Sequence, residues 1–192
     1  MLKFQQMAHY NIHETQTSLL QSVQQVMDFV AEIDGLSEAR LLQQPISGGW
    51  SLAQVMAHLN VYCRHYLPLI ESALNRGEAG HVVYQSGWLG EYFTKLMQPL
   101  PDGTIAKKMQ APANAKPVQA LDALSVKHEF LHHQQHLIGL LQNAHKADWQ
   151  HIRIPTSLSK WIRLRLGDTL RFFVAHEYRH LLQMQRILKQ VS

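Results

Sequence analysis

The sequence predicts an all-α protein: a four-helix bundle with a long crossover insertion between its second and third helices. Four stretches place apolar residues at i, i+3, i+4 and i+7, the period of a helix with one buried face. Between the second and third of them, residues 77–117 break that period and hold five Gly and four Pro. Helices of this kind bury their stripes against one another, and functional sites in such bundles face inward from neighbouring helices. A length of 192 residues suits a single domain over 1–192 with a sizeable core.

The first helix is expected from Ile12 to Ile33, where Leu19, Val23, Val26, Met27, Val30 and Ile33 form one stripe and Asp34-Gly35 supplies a stop. The second has the clearest start. Ser51 and Gln54 fit a capping box, Trp50 is placed to staple onto Val55, and Gly48-Gly49 frees the backbone just ahead. Its stripe, from Leu52 through Val55, Leu59, Cys63 and Tyr66 to Ile70, runs to about Asn75, before Gly77. Pro68 falls inside it and should kink the helix or remove a ladder bond.

The insertion contains a short amphipathic piece, Trp88 to Met97, and its aromatics Tyr84, Trp88, Tyr92 and Phe93 argue for a packed cover over one end of the bundle. The third helix is expected from Val118 to Ala144, with Phe130, Leu137 and Leu141 inward. A short extended piece at His151–Ile154 precedes a fourth helix, read as starting at the N-cap Asp168 and ending near Lys189.

Composition excludes several classes of function. Apolar residues make up 46% and charged residues 17%, ordinary for a globular chain, and no apolar run approaches the length of a membrane span. Met1–Gln6 lacks a signal-peptide core, and the single cysteine, Cys63, cannot close an internal disulfide, so the cytoplasm is expected. A net charge of +4 raises nucleic-acid binding. The cations form no block: Lys107-Lys108 sit in the insertion, Arg163 and Arg165 in a loop, and Arg171, Arg179 and Arg186 spread around the last helix. A solvated, mildly basic surface is the better reading, with no nucleic-acid partner.

Thirteen histidines give four pairs at i, i+4: His9/His13, His128/His132, His132/His136 and His176/His180. Spacing alone therefore selects nothing. Phase does. His176 and His180 lie at one margin of the last helix's buried stripe, and His58 holds the same relation to the stripe of the second helix. Three imidazoles from two helices, with no fourth protein ligand, describe an open metal site. Core-edge imidazoles bonded to a carbonyl or to Glu177 fit the same wheel, and at this point both readings stand. His128, His132 and His136 point away from the apolar centre of the third helix and read as a solvated face.

Glu129-x-x-His132 and Glu177-x-x-His180 raise a ferritin-like di-iron protein, which needs both pairs inward and one inward Glu from each remaining helix. Glu129 and His132 share the outward face, while Glu14, Glu32 and Glu71 lie near helix ends, so this ranks third. Cys63 lies on the apolar stripe and reads as an inert buried thiol.

Two segments carry a resemblance. Gly48-Gly49-Trp50-Ser51-Leu52-Ala53-Gln54-Val55-Met56-Ala57-His58-Leu59 and Ala175-His176-Glu177-Tyr178-Arg179-His180-Leu181-Leu182-Gln183, with a weaker match at Lys107-Lys108-Met109-Gln110-Ala111-Pro112, resemble the DinB/YfiT-like superfamily of metalloenzymes. The resemblance implies a four-helix bundle whose divalent metal (Zn, Ni, Fe or Co) is held by His58, His176 and His180. It also implies a small-molecule substrate, a low-molecular-weight thiol such as bacillithiol as co-substrate, and a homodimer. The expected activity is a metal-dependent thiol S-transferase or hydrolase; the alternative is a non-catalytic, stress-induced metal-binding or dimerisation module. Glu177 is expected to orient a ligand imidazole or accept a proton, and Tyr62, His65 and Trp88 to contact substrate.

Overall fold

The computed structural model describes residues 8–76, 81–100, 103–105, 109–118 and 120–191. Met1–Gln6, Gly77 and Lys107-Lys108 lie outside the described residues.

Four long helices make the bundle: α1 (Ile12–Glu32), α3 (Leu52–Leu74), α5 (Ala123–Asn143) and α6 (Leu166–Val191). Two short ones join them, α2 (Glu38–Leu42) and α4 (Trp88–Met97). Helix α1 packs on α5 and α6, and α3 packs on the same two, so α1 and α3 stand at opposite corners. Two antiparallel ribbons complete the chain. Strand β1 (His9–Asn11) pairs with β2 (Val83–Gln85), and β3 (Arg153–Thr156) pairs with β4 (Ser159–Arg165).

Helix starts follow from side-chain caps. Asn11 accepts from the Glu14 amide at 3.1 Å and opens α1. At α3 the expected capping box forms: the Ser51 amide donates to Gln54 Oε1 at 3.0 Å, and the Gln54 amide donates to Ser51 Oγ at 3.2 Å. Pro68 neither ends nor divides α3, which continues to Leu74 with Pro68 on its exposed side.

Three boundaries differ from the sequence reading, each for a local reason. Helix α5 begins at Ala123 rather than Val118, because Asp122 caps it through the Ser125 amide at 2.9 Å. Val118 is left 63% exposed before that start. Helix α6 begins at Leu166 and Asp168 is not its cap. The amides of Leu166 and Gly167 donate instead to the carbonyls of Ile152 and Trp149, at 3.0 and 3.2 Å, which satisfies the helix start from the backbone. Arg163 and Arg165, read as loop residues, lie on β4.

Arg171 corrects the view of a uniformly solvated set of cations. It is buried in α6, donates to Glu91 Oε2 at 3.0 Å and to the Tyr10 hydroxyl at 2.6 Å, and stacks 3.6 Å over the Tyr10 ring. One guanidinium thus ties α4 and β1 to the bundle.

The core falls into two clusters. One gathers Tyr66, Tyr84, Trp149 and Phe173; the other gathers Phe29, Leu52, Met56, Phe130 and Met184. Each fully buried side chain of this size contributes about 1.5–3 kcal/mol relative to exposure. Along α3, His58 falls between Met56 of the second cluster and Tyr62 of the first; along α6, His176 and His180 fall between Val174 and Leu181. The polar site occupies the seam between two apolar blocks.

Candidate metal centre

His58, His176 and His180 are all buried, and one ring nitrogen from each lies within 4.8 Å of the others. His176 Nε2 is 3.4 Å from His58 Nε2 and 3.1 Å from His180 Nε2. Two nitrogens bound to one tetrahedral zinc, each about 2.0–2.1 Å from it, lie about 3.3 Å apart. The observed separations match that edge.

The opposite nitrogens fix the tautomers. His58 Nδ1 is 2.7 Å from the Ala115 carbonyl, which only accepts, so that nitrogen carries the proton. His180 Nδ1 is 2.8 Å from Gln183 Oε1 and is protonated in the same way. Both Nε2 atoms therefore present lone pairs toward His176 Nε2. A hydrogen on His176 Nε2 can serve only one of them and leaves the other lone pair unpaired; the buried Nδ1 of His176 has no hydrogen-bond partner in either tautomer. A cation at the centre satisfies all three lone pairs together, so the donor set fits a metal.

Electrostatics favour the same state. Burial pushes the His58 pKa down. Burial, then the neighbouring His180 and His58, holds His176 well below the usual imidazole range, and burial with His58 pushes His180 down to about 3. The three imidazoles are neutral at pH 7, the form in which imidazole binds metal.

The cluster lies at the base of a cleft of about 660 Å³ between α3, α6, the 45–50 segment and the insertion. Trp50, placed in the sequence as a helix staple, also faces the site, with its ring 5.0 Å from His58 and 6.4 Å from His180. Tyr62 closes the other side, its ring 4.5 Å from His176. Burial raises the Tyr62 hydroxyl to about 12 and keeps it neutral.

Other expected site residues lie elsewhere. His65 Nε2 is 3.2 Å from the Pro155 carbonyl, and its ring stands against Tyr66 outside the cleft. Trp88 is 73% exposed at the start of α4 and does not line the cleft. Glu177 is fully buried beneath the site, accepting from Gln134 Nε2 at 3.1 Å and from Cys63 Sγ at 3.5 Å. Its bonds go to α5 and α3 rather than to an imidazole. Burial raises its carboxyl to about 8, and raises the Cys63 thiol well above its ordinary range.

On α5, His128 and His132 are exposed. Glu129 is held by Arg64 through two bonds of 2.7 Å and Glu177 by Gln134 and Cys63, with no hydrogen-bond partner in common, and neither pair joins a metal-sized cluster with the other. Among the described residues, His58, His176 and His180 form the one metal-sized group of three or more such side chains.

Sequence reasoning missed Arg179, Gln183, Arg186 and Gln190, which line the cleft beside the imidazoles and past them; Arg179 and Arg186, read as spread around the helix, share one face because they lie seven residues apart. Their signal was present: they repeat at three- and four-residue steps from His176. No described helix is long and apolar enough to cross a membrane.

A family model described as the DinB superfamily matches residues 21–184. No curated protein and no solved structure matches the chain.

Proposed function

The chain belongs to the DinB superfamily, and from that premise we propose that it is a divalent-metal-dependent enzyme, a thiol S-transferase or hydrolase acting on a small molecule. The observation that carries this reading is the convergence of three Nε2 atoms, two with their opposite nitrogens committed to acceptors, at the base of an open cleft. Zinc, nickel, iron and cobalt all suit imidazole ligands. Bound there, such an ion supplies a Lewis acid that lowers the pKa of a thiol or a water.

The protein's own side chains do the remaining work. Ala115 and Gln183 orient two of the rings. Trp50 and Tyr62 wall the site and restrict water. The neutral phenol of Tyr62, whose ring lies beside His176, would donate a hydrogen bond to an anionic group of the substrate. Glu177 supports α6 from below through Gln134 and Cys63, a positioning role for the helix that carries His176 and His180. The lone buried Cys63 is in keeping with a cytoplasmic protein.

The test is metal stripping and reloading, followed by assay of low-molecular-weight thiols against small electrophiles and of water against esters and amides. Turnover that disappears with the metal and returns on reloading, with helicity unchanged throughout, is expected. Failure to take up stoichiometric metal after reconstitution sinks the proposal. Melting of the bundle on stripping, without turnover in the loaded protein, would favour a non-catalytic metal-binding module.

A further inference from the structure

The excess positive charge of the chain is concentrated in one hairpin. Residues 153–165, the β3–β4 ribbon, hold Arg153, Lys160, Arg163 and Arg165 and no Asp or Glu. Taking these four from the chain's 18 Lys and Arg leaves 14, equal to its 14 Asp and Glu. The net charge of +4 is therefore the hairpin's own.

Register puts the arginines on one face. Arg153 pairs with Arg165 and Pro155 with Arg163, while the Ile154–Leu164 pair between them is buried. Paired residues share a face and successive ones alternate, so the three arginines turn outward. Burial and then the charge of Arg165 lower the Arg153 pKa, as neighbouring like charges do. Among the described residues no carboxylate forms an ion pair with any of the four cations. The acids whose fields reach Arg153 are committed elsewhere: Asp148 lies 2.8 Å from His151 Nδ1, and Asp168 accepts from the Gly87 amide at 2.9 Å. Arg153 and Arg165 donate to the neutral carbonyls of Gln150 and Gln85, which leaves their charge uncancelled.

Exposed tryptophan borders the same face. Trp161, two residues before Arg163 on β4, is 94% exposed, and Leu158 in the turn is 60% exposed. The exposed Trp88 stands near the other end, since a Cβ on its neighbour Gly87 would lie 3.9 Å from Arg165 Nε. The turn is pinned to the bundle, because the Ser157 amide donates to the Tyr66 hydroxyl of α3 at 3.1 Å. An indole held in water among unpaired cations gains by entering a boundary that is apolar on one side and anionic on the other.

We propose that this hairpin face docks on the anionic surface of a lipid bilayer. The guanidiniums and Lys160 meet lipid phosphates, and Trp161 and Leu158 enter at the headgroup level. Charge decides against a second copy, because a symmetric contact would set the same cations against one another. A nucleic acid would engage the cations and leave Leu158 without an apolar partner. The contact is with a surface rather than a span, and it is independent of the metal centre: Leu158, Lys160, Trp161 and Arg163 do not line the cleft.

The experiment is co-sedimentation of the full chain with vesicles of phosphatidylcholine alone and of equal parts phosphatidylcholine and phosphatidylglycerol. Wild type should sediment with the anionic vesicles, stay in solution with the neutral ones, and be released by raised salt. Each cation near an anionic surface is worth about fivefold in affinity, so Lys160→Gln/Arg163→Gln should weaken binding about 25-fold. Trp161→Ser should weaken it about tenfold. Both variants change exposed side chains and should melt as wild type does.

No binding of wild type to the anionic vesicles, or equal binding to both kinds, would overturn the proposal. Variants that bind as tightly as wild type would move any lipid contact off the hairpin, with the same result. DNA that strips the protein from the vesicles, and that binds Trp161→Ser as well as wild type, would make the face a phosphate-backbone site instead. A dimer in lipid-free buffer that Trp161→Ser dissociates would give the face to a second copy and likewise overturn the proposal.

Discussion

Gly90 of α4 lies flush against the Asp168 side chain of α6: a Cβ at Gly90 would fall 2.3 Å from Asp168 Cγ and 2.4 Å from Asp168 Cβ. Only a hydrogen fits between the helices there. Gly90→Ala should therefore destabilise by about 1–3 kcal/mol, as overpacking does. Gly139→Ala on α5, where nothing lies within 4 Å of the new methyl, should instead be neutral or stabilising by up to about 1 kcal/mol. Urea midpoints for the two variants make the comparison. Equal midpoints would remove the close approach as a constraint on α4.

Asp168 also gives stability a pH dependence. Burial raises its pKa from 3.8 to about 6, against the opposing pull of the Gly87 amide and of Arg171 and Arg165. Between these values the folded state keeps a proton that the unfolded chain has released, so this group's contribution falls as pH rises from about 4 to about 6, and is level above. The difference in melting temperature between Asp168→Asn and wild type should follow that window. A difference independent of pH from 4 to 7 would refute the assignment.

The buried pair of Arg171 and Glu91 should show strong coupling. Arg171→Met leaves the half-buried Glu91 with Lys95, 3.4 Å away, as its remaining cation and takes the guanidinium from the Tyr10 and Tyr84 hydroxyls. Loss of one partner of a fully buried pair costs about 3–5 kcal/mol, and up to that is expected here. Adding Glu91→Gln should restore part of it, because the stranded charge is then gone. A double variant as unstable as the sum of the two singles would show that the pair is uncoupled.

At the metal centre, His58→Ala, His176→Ala and His180→Ala should each lose stoichiometric metal in elemental mass spectrometry, and His132→Ala should retain it. Gln183→Leu removes the acceptor for His180 Nδ1 and should weaken metal binding by about 10–100-fold. Metal loss from His132→Ala equal to that from His180→Ala would move the site to α5.

Local signals made part of this molecule legible beforehand. The Ser51–Gln54 box and the amphipathic run from Trp88 to Met97 were readable because caps and helical period are written in adjacent residues. The phase of His58, His176 and His180 was readable for the same reason, since each lies beside its own helix's apolar stripe. What escaped depends on chain that is distant in sequence. Strand β4 was invisible because its exposed Trp161 and charged Lys160, Arg163 and Arg165 give no clean alternation, and only pairing with β3 defines it. The burial of Arg171 needs Tyr10 and Glu91, and the bend of Glu177 away from the imidazoles needs Gln134 of α5. A helical wheel shows a margin of a stripe, not which neighbour occupies it.

The hydrogen bond from His58 to Ala115 has a thermodynamic consequence. Ala115 lies in the 3₁₀ turn Ala113–Ala115, in the segment that leads from the insertion into α5. Lifting that turn withdraws the acceptor that selects the His58 tautomer, so fewer molecules present the lone pair an ion requires. By reciprocity, an ion bound at Nε2 stabilises the seated turn by the same free energy with which the seated turn favours the ion. Occupancy of the three imidazoles and seating of the Ala113–Ala115 turn thereby form one coupled equilibrium, linked through a single imidazole ring.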